Sequence, residues 1–132
     1  MKKTFSVLLL LLAVALSLAV TSCKKNALTI EQKAALGEIE TLWGEIIVSI
    51  QNQDVEKFLS FCSENVLKEY SRKSIEDYLK ETFKQMAGKA RTDYEIASAK
   101  FNKEVTEATV AFKSRRKKDF IKENGKWVIK NL

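Results

Sequence analysis

The hydrophobic period of the chain changes once, and that change predicts an α+β protein with N-terminal helices packed on a C-terminal antiparallel sheet. As far as Gly88, apolar residues recur at steps of three and four; beyond it they alternate. A second observation is Asn124-Gly125, set between Phe120-Ile121 and Trp127-Val128-Ile129. Both turn positions tolerate positive φ, so the pair closes a two-residue hairpin. A third is the capping-box pattern, a hydroxyl residue followed three positions on by a side chain that reaches back. It occurs at Thr29-Ile30-Glu31-Gln32 and again at Ser74-Ile75-Glu76-Asp77.

In chain order, the first helix follows Thr29, with Leu36, Ile39, Leu42, Trp43, Ile46, Ile47 and Ile50 forming one apolar stripe. Gly37 and Gly44 weaken it by up to about 1 kcal/mol each relative to alanine, which suggests close approach of another element. Gln51-Asn52-Gln53 ends the helix, and Asp54 caps a short second one that turns Val55, Phe58, Leu59 and Cys62 inward. Ser63-Glu64-Asn65 reads as a break and Val66-Leu67 as an irregular turn. The helix opened at Ser74 buries Ile75, Tyr78, Leu79, Phe83 and Met86, and Gly88 stops it in the left-handed conformation. A strand with Tyr94 and Ile96 on one face runs towards Phe101, and Asn102-Lys103 turns the chain. Ala108, Val110 and Phe112 line the inner face of a second strand, and the Phe120 and Trp127 strands complete the meander.

The N-terminus carries a different kind of signal. Met1-Lys2-Lys3 is basic, and the run from Phe5 to Val20 has no charged residue. That is the layout of a secretory leader, and the run falls short of the about 20 apolar residues a membrane-spanning helix needs. Val20-Thr21-Ser22-Cys23 resembles the lipobox of bacterial lipoproteins. The resemblance implies that residues 1–22 are a signal peptide, that Cys23 is diacylated and becomes the new N-terminus, and that 23–28 form a lipidated tether. A domain then occupies 29–132. The membrane is thus the first expected partner, held through lipid at Cys23. Lys24-Lys25 sit where anionic headgroups would contribute about 1 kcal/mol per cation. No acidic residue follows Cys23, which by resemblance to enterobacterial sorting favours the outer over the inner membrane.

Composition narrows the chemistry. The whole chain has 23 basic and 17 acidic side chains, a formal charge of +6; without Lys2 and Lys3 it is 21 against 17, near +4. So mild and mixed a charge calls for no nucleic-acid partner. With no histidine in the chain, Ser-His and Cys-His catalysis are excluded and a zinc site is not expected. No cofactor is expected either. Once Cys23 is acylated, Cys62 has no partner thiol, and its place beside Phe58 and Phe61 reads as core.

The ending Phe120-Ile121-Lys122-Glu123-Asn124-Gly125-Lys126-Trp127-Val128-Ile129 resembles the final hairpin of nuclear transport factor 2-like domains. Asn52-Gln53-Asp54, followed by Val55, Phe58 and Leu59, is similar to their break between the first helices. The resemblance implies a curved sheet wrapped on helices, the cone of nuclear transport factor 2-like and cystatin-like domains. Within such a cone Tyr78, Tyr94, Val110 and Trp127 either line a ligand cavity or, as aromatic and apolar residues at helical and strand spacing more often do, fill the core. Enzymes of that superfamily need an aspartate base inside the cone. The carboxylates on the strands here, Asp93, Glu95 and Glu107, alternate with apolar residues as on the wet face of a sheet. No catalytic residue stands out.

Arg115-Arg116-Lys117-Lys118 is the most biased stretch of the domain. It reads either as a solvated loop or edge strand or as a patch for an anionic partner such as lipid phosphate. Three functions follow. The first is a non-catalytic, membrane-anchored envelope lipoprotein that binds a small apolar ligand or a protein through its cone or sheet. The second is an interaction or inhibitor module using the sheet face, and the third an isomerase- or cyclase-type enzyme. An open space among Tyr94, Val110, Trp127 and the helices would separate the first and third from the second.

Overall fold

A computed structural model of the chain describes residues 27–132. The leader, Cys23 and most of the tether at 23–28 lie outside the described residues. The architecture of the described residues is α+β, as the change of period predicts: four α-helices, then four strands in one antiparallel sheet. Among the described residues no helix is long and apolar enough to cross a membrane.

Helix α1 spans Ile30–Gln51 and opens with both bonds of the expected capping box. The Gln32 amide donates to Thr29 Oγ1 at 3.1 Å, and the Thr29 amide donates to Gln32 Oε1 at 3.0 Å. Its stripe buries Ala35, Ile39, Ile46 and Ile50. No atom comes within 4 Å of where a Cβ would stand on Gly37 or Gly44, so neither glycine serves a close approach. At the break Gln53 takes φ 53°. Its side-chain amide donates to Ile50 O at 2.7 Å and Leu79 O at 3.2 Å, tying the first bend to a later helix. Asp54 caps α2, Val55–Leu59, as expected.

The next two helices correct the sequence reading. Ser63-Glu64-Asn65 starts a helix: Ser63 caps α3, Glu64–Glu69, by accepting from the Val66 amide. Serine at the cap with an acid behind it favours a helix start over a break. Helix α4 spans Arg72–Ala87, one turn earlier than the Ser74 pattern suggests, because Ser71 is the cap and accepts from the Ser74 amide at 3.1 Å. Ile75 and Leu79 are buried on it, whereas Phe83, expected inside, is 42% exposed. Gly88 ends the helix at φ −99°, ψ 7°, not in the left-handed region.

A 3-10 turn at Arg91–Tyr94 precedes the sheet, so Tyr94 lies outside any strand. The reason is tertiary, since the Trp43 indole of α1 donates to Tyr94 O at 2.9 Å and fixes the backbone there. The strands are β1 Ile96–Phe101, β2 Glu107–Phe112, β3 Lys117–Glu123 and β4 Lys126–Ile129, paired in that order. Asn124 (φ 50°) and Gly125 (φ 77°) form the left-handed pair that the hairpin requires. Residues 61–63 cover the outer edge of β4: Ile129 N–H donates to Phe61 O at 2.7 Å, and Ser63 N–H to Ile129 O at 2.9 Å. At Ile129 the edge groups are therefore already paired.

Ala108, Val110, Phe112, Phe120, Trp127 and Ile129 are buried on the helix side of the sheet. Trp43 stacks on Phe112 with centroids 4.7 Å apart and meets Phe120 edge-on at 6.5 Å. Trp127 does not share that cluster; its aromatic neighbour is Phe101, at 6.1 Å. The two indoles therefore serve different ends of the core.

Candidate functional site

Between the helices and the sheet, at the Trp43 end, lies a cavity of about 170 Å³. Trp43, Ile46, Phe58, Met86, Phe112 and Ile129 supply its apolar walls. Tyr78 and Tyr94 line it as well; Val110 is fully buried beside it and Trp127 is packed at the other end, so neither walls the space. Burial raises the Tyr94 phenol above its ordinary pKa, with Arg116 pulling it down and Asp93 pushing it up.

The basic run meets this cavity and divides over it. Lys113, Ser114 and Arg115 form a three-residue hairpin loop: the Arg115 amide donates to Phe112 O at 2.8 Å and the Phe112 amide to Arg116 O at 2.9 Å. The third loop residue of such a hairpin is left-handed, and Arg115 accordingly has φ 68°. Lys117 and Lys118 belong to β3 and pair with β2, but the pairing of β3 with β4 begins only at Phe120, so at these two lysines the strand is open on its other side, as at an edge. Alternation then separates the pair. Lys118 sits opposite buried Val110 and shares its helix-facing side, while Lys117 sits opposite Ala111 on the outer face. Arg115 is exposed on the loop.

Arg116, Lys117 and Lys118 all border the cavity, and no lining residue is acidic. Lys113 at the loop is paired with Glu95. Lys118 has no carboxylate within ion-pair distance among the described residues; Tyr78 holds its ammonium through the hydroxyl at 3.4 Å and the ring face at 5.5 Å. Arg116 Nη1 donates to Gln85 Oε1 at 3.0 Å. Ser114 Oγ is buried with no hydrogen-bond partner. Cys62, 6% exposed, lies below; burial pushes its thiol up to about 11, against the pull of Lys118, so it is no nucleophile at neutral pH.

The carboxylates expected on the wet face of the sheet lie away from the cavity. Glu95 pairs with Lys113, and Glu107 pairs with Lys130 at 2.7 Å on the outer face of the sheet. Asp93 is in the 3-10 turn and does not line the cavity. A wider groove of about 390 Å³ runs between α1 and the end of α4 at Gly44, Val48 and Phe83. Ile47, Val48, Phe83 and Met86 supply its apolar surface and Lys89 and Arg91 its charge.

Sequence reasoning could have found the inward lysine. The alternation that turns Phe120 inward, carried two residues back, turns Lys118 inward too. Ser114 has no such signal, because its burial depends on the loop folding over the helices. The class defined by these observations is an α+β domain with a small, basic-mouthed cavity between its layers. In comparisons with family models, curated proteins and solved structures, nothing matches this chain.

Proposed function

We propose that the chain is a non-catalytic envelope lipoprotein of nuclear transport factor 2-like or cystatin-like form, anchored through lipid at Cys23, and that its domain binds a small apolar ligand. The anchor rests on the leader and on Val20-Thr21-Ser22-Cys23. The binding role rests on one observation, the unfilled space of about 170 Å³ walled by Trp43, Phe58, Phe112 and Ile129. Interiors are close-packed as a rule, so a recess of that size between helices and sheet is a place for a ligand's apolar body. A partner protein on the outer sheet face has less support. That face is polar and paired with itself, through Glu107–Lys130 and through Thr109 Oγ1 with Asp119 Oδ1 at 2.6 Å. An isomerase base has no place among the cavity residues.

Mass spectrometry of protein extracted from membranes should find acyl mass on Cys23 and a blocked N-terminus. A wild-type chain recovered unmodified, or starting elsewhere, overturns the anchor. For the cavity, toluene should shift the Trp43 indole resonance saturably; an unmoved resonance at saturating toluene overturns the binding role.

A further inference from the structure

The cavity has a direction. Its apolar walls come from the helices and the inner face of the sheet, and Ser114, Arg116 and Lys118 border it from the β2–β3 loop and the start of β3. Two features on that side are unfinished. Lys118, half-buried on the helix-facing side of β3, has lost part of its hydration, and Tyr78 gives it a hydroxyl and a ring face but no counter-charge. A buried hydroxyl, Ser114 Oγ, makes no hydrogen bond. Ammonium groups and hydroxyls withdrawn from water are unfavourable unless something pairs with them. Arg116 spends one donor on Gln85 and keeps others of its planar fork.

Resting on the reading of this space as a ligand site, we propose that the ligand is an acid: a small aromatic or branched monocarboxylate, its carboxylate held by Lys118, Arg116 and Ser114 and its apolar body against Trp43, Phe58 and Ile129. One carboxylate supplies the missing counter-charge and accepts from the orphan hydroxyl, and charge-assisted bonds of this kind are the strong ones. The size fits. An apolar cavity of roughly 150 Å³ holds benzene, so about 170 Å³ admits a ring with a short acid arm. The absence of acidic lining residues supplies the specificity, because nothing in the walls repels an anion and the unpaired cations disfavour a neutral analogue.

The test uses the full chain in phosphatidylcholine nanodiscs, labelled with 5-fluorotryptophan. The sequence has two tryptophans, and only Trp43 lines the cavity, so the Trp127 signal is an internal control for the fold. Phenylacetate should move the Trp43 signal saturably and leave Trp127 in place. Phenylacetamide, its neutral isostere, should bind at least about tenfold more weakly, as expected for losing one charge-assisted bond. Lys118→Met should remove that discrimination, Lys118→Arg should keep it, and Ser114→Ala should weaken the acid severalfold. Equal binding of acid and amide overturns the acid preference but leaves an apolar-ligand site standing. If toluene, acid and amide all fail to move Trp43, the ligand site itself is overturned. Should Lys118→Met disturb the Trp127 signal, the Ser114→Ala result and the acid-to-amide ratio in the wild type decide the question.

Discussion

The two tryptophans mark two ends of one core that are finished in different ways. At the Trp127 end the hairpin closes through Asn124-Gly125, Phe101 fills the space beside the indole, and Trp127 is 5% exposed. At the Trp43 end the indole reaches across to a backbone carbonyl, the adjoining segment winds into a 3-10 turn instead of a strand, and a cavity remains under a cationic loop. The first end follows turn chemistry and apolar area, with the Trp127 Nε1–H as its one buried donor without an acceptor among the described residues, and is the stability anchor. The second has unfilled volume, an unpartnered hydroxyl and unpaired cations, features that add nothing to stability and are what a binding site uses.

Truncation tests that contrast most directly. Trp127→Ala should cost about 3–5 kcal/mol, the usual loss for a large buried aromatic. Trp43→Ala should cost less, about 2 kcal/mol, because the ring is only half-buried and borders existing space. Urea denaturation of both gives the ranking, and equal losses would erase the distinction. Trp127→Phe sharpens it: the Trp127 Nε1–H is buried without an acceptor, so removing it should recover much of what the smaller ring loses.

Gly125→Val addresses the packed end through its backbone. At φ 77° a β-branched residue is strained, and the left-handed penalty of about 1–2 kcal/mol should lower the unfolding midpoint. An unchanged midpoint would show that the hairpin is peripheral to that end.

Gly44→Ala acts in the opposite direction at the cavity end. A Cβ there meets nothing within 4 Å, so helix propensity alone should raise stability by about 0.5–1 kcal/mol. Destabilisation would mean that something occupies the groove beside α1.

The smallest effect belongs to Cys62, between the two ends. Its thiol titrates near 9.0 when unperturbed and is raised to about 11 by burial. The folded state therefore keeps its proton where the unfolded chain has lost it. This contribution is complete below about pH 9 and is lost as pH rises towards about 11. Plotted against pH across that window, the urea midpoint of wild type should fall more steeply than that of Cys62→Ala; parallel curves would rule the effect out.

The sequence by itself determined whatever depends on neighbours along the chain. Thr29 with Gln32, Asp54 with the helix it caps, the inward alternation of Ala108, Val110 and Phe112, and the left-handed Asn124-Gly125 pair are all local, and all are present. Similar local patterns misled where two signals competed within one turn. Ser71 outranked Ser74 as a cap, and Ser63 began a helix where a break was expected. Tertiary structure alone decided the rest. Tyr94 left the strand because Trp43, far away in sequence, bonds its carbonyl. Phe83 stayed outside because α4 turns Ile75 and Leu79 to the core. The basic run, continuous in sequence, was divided by a loop and a pleat, which set Lys118 on the helix-facing side and Lys117 on the outer face, both at the border of one cavity. Periodicity along a chain can say which side a residue faces, but the volume left between two layers depends on how their side chains meet, and no single segment contains that information.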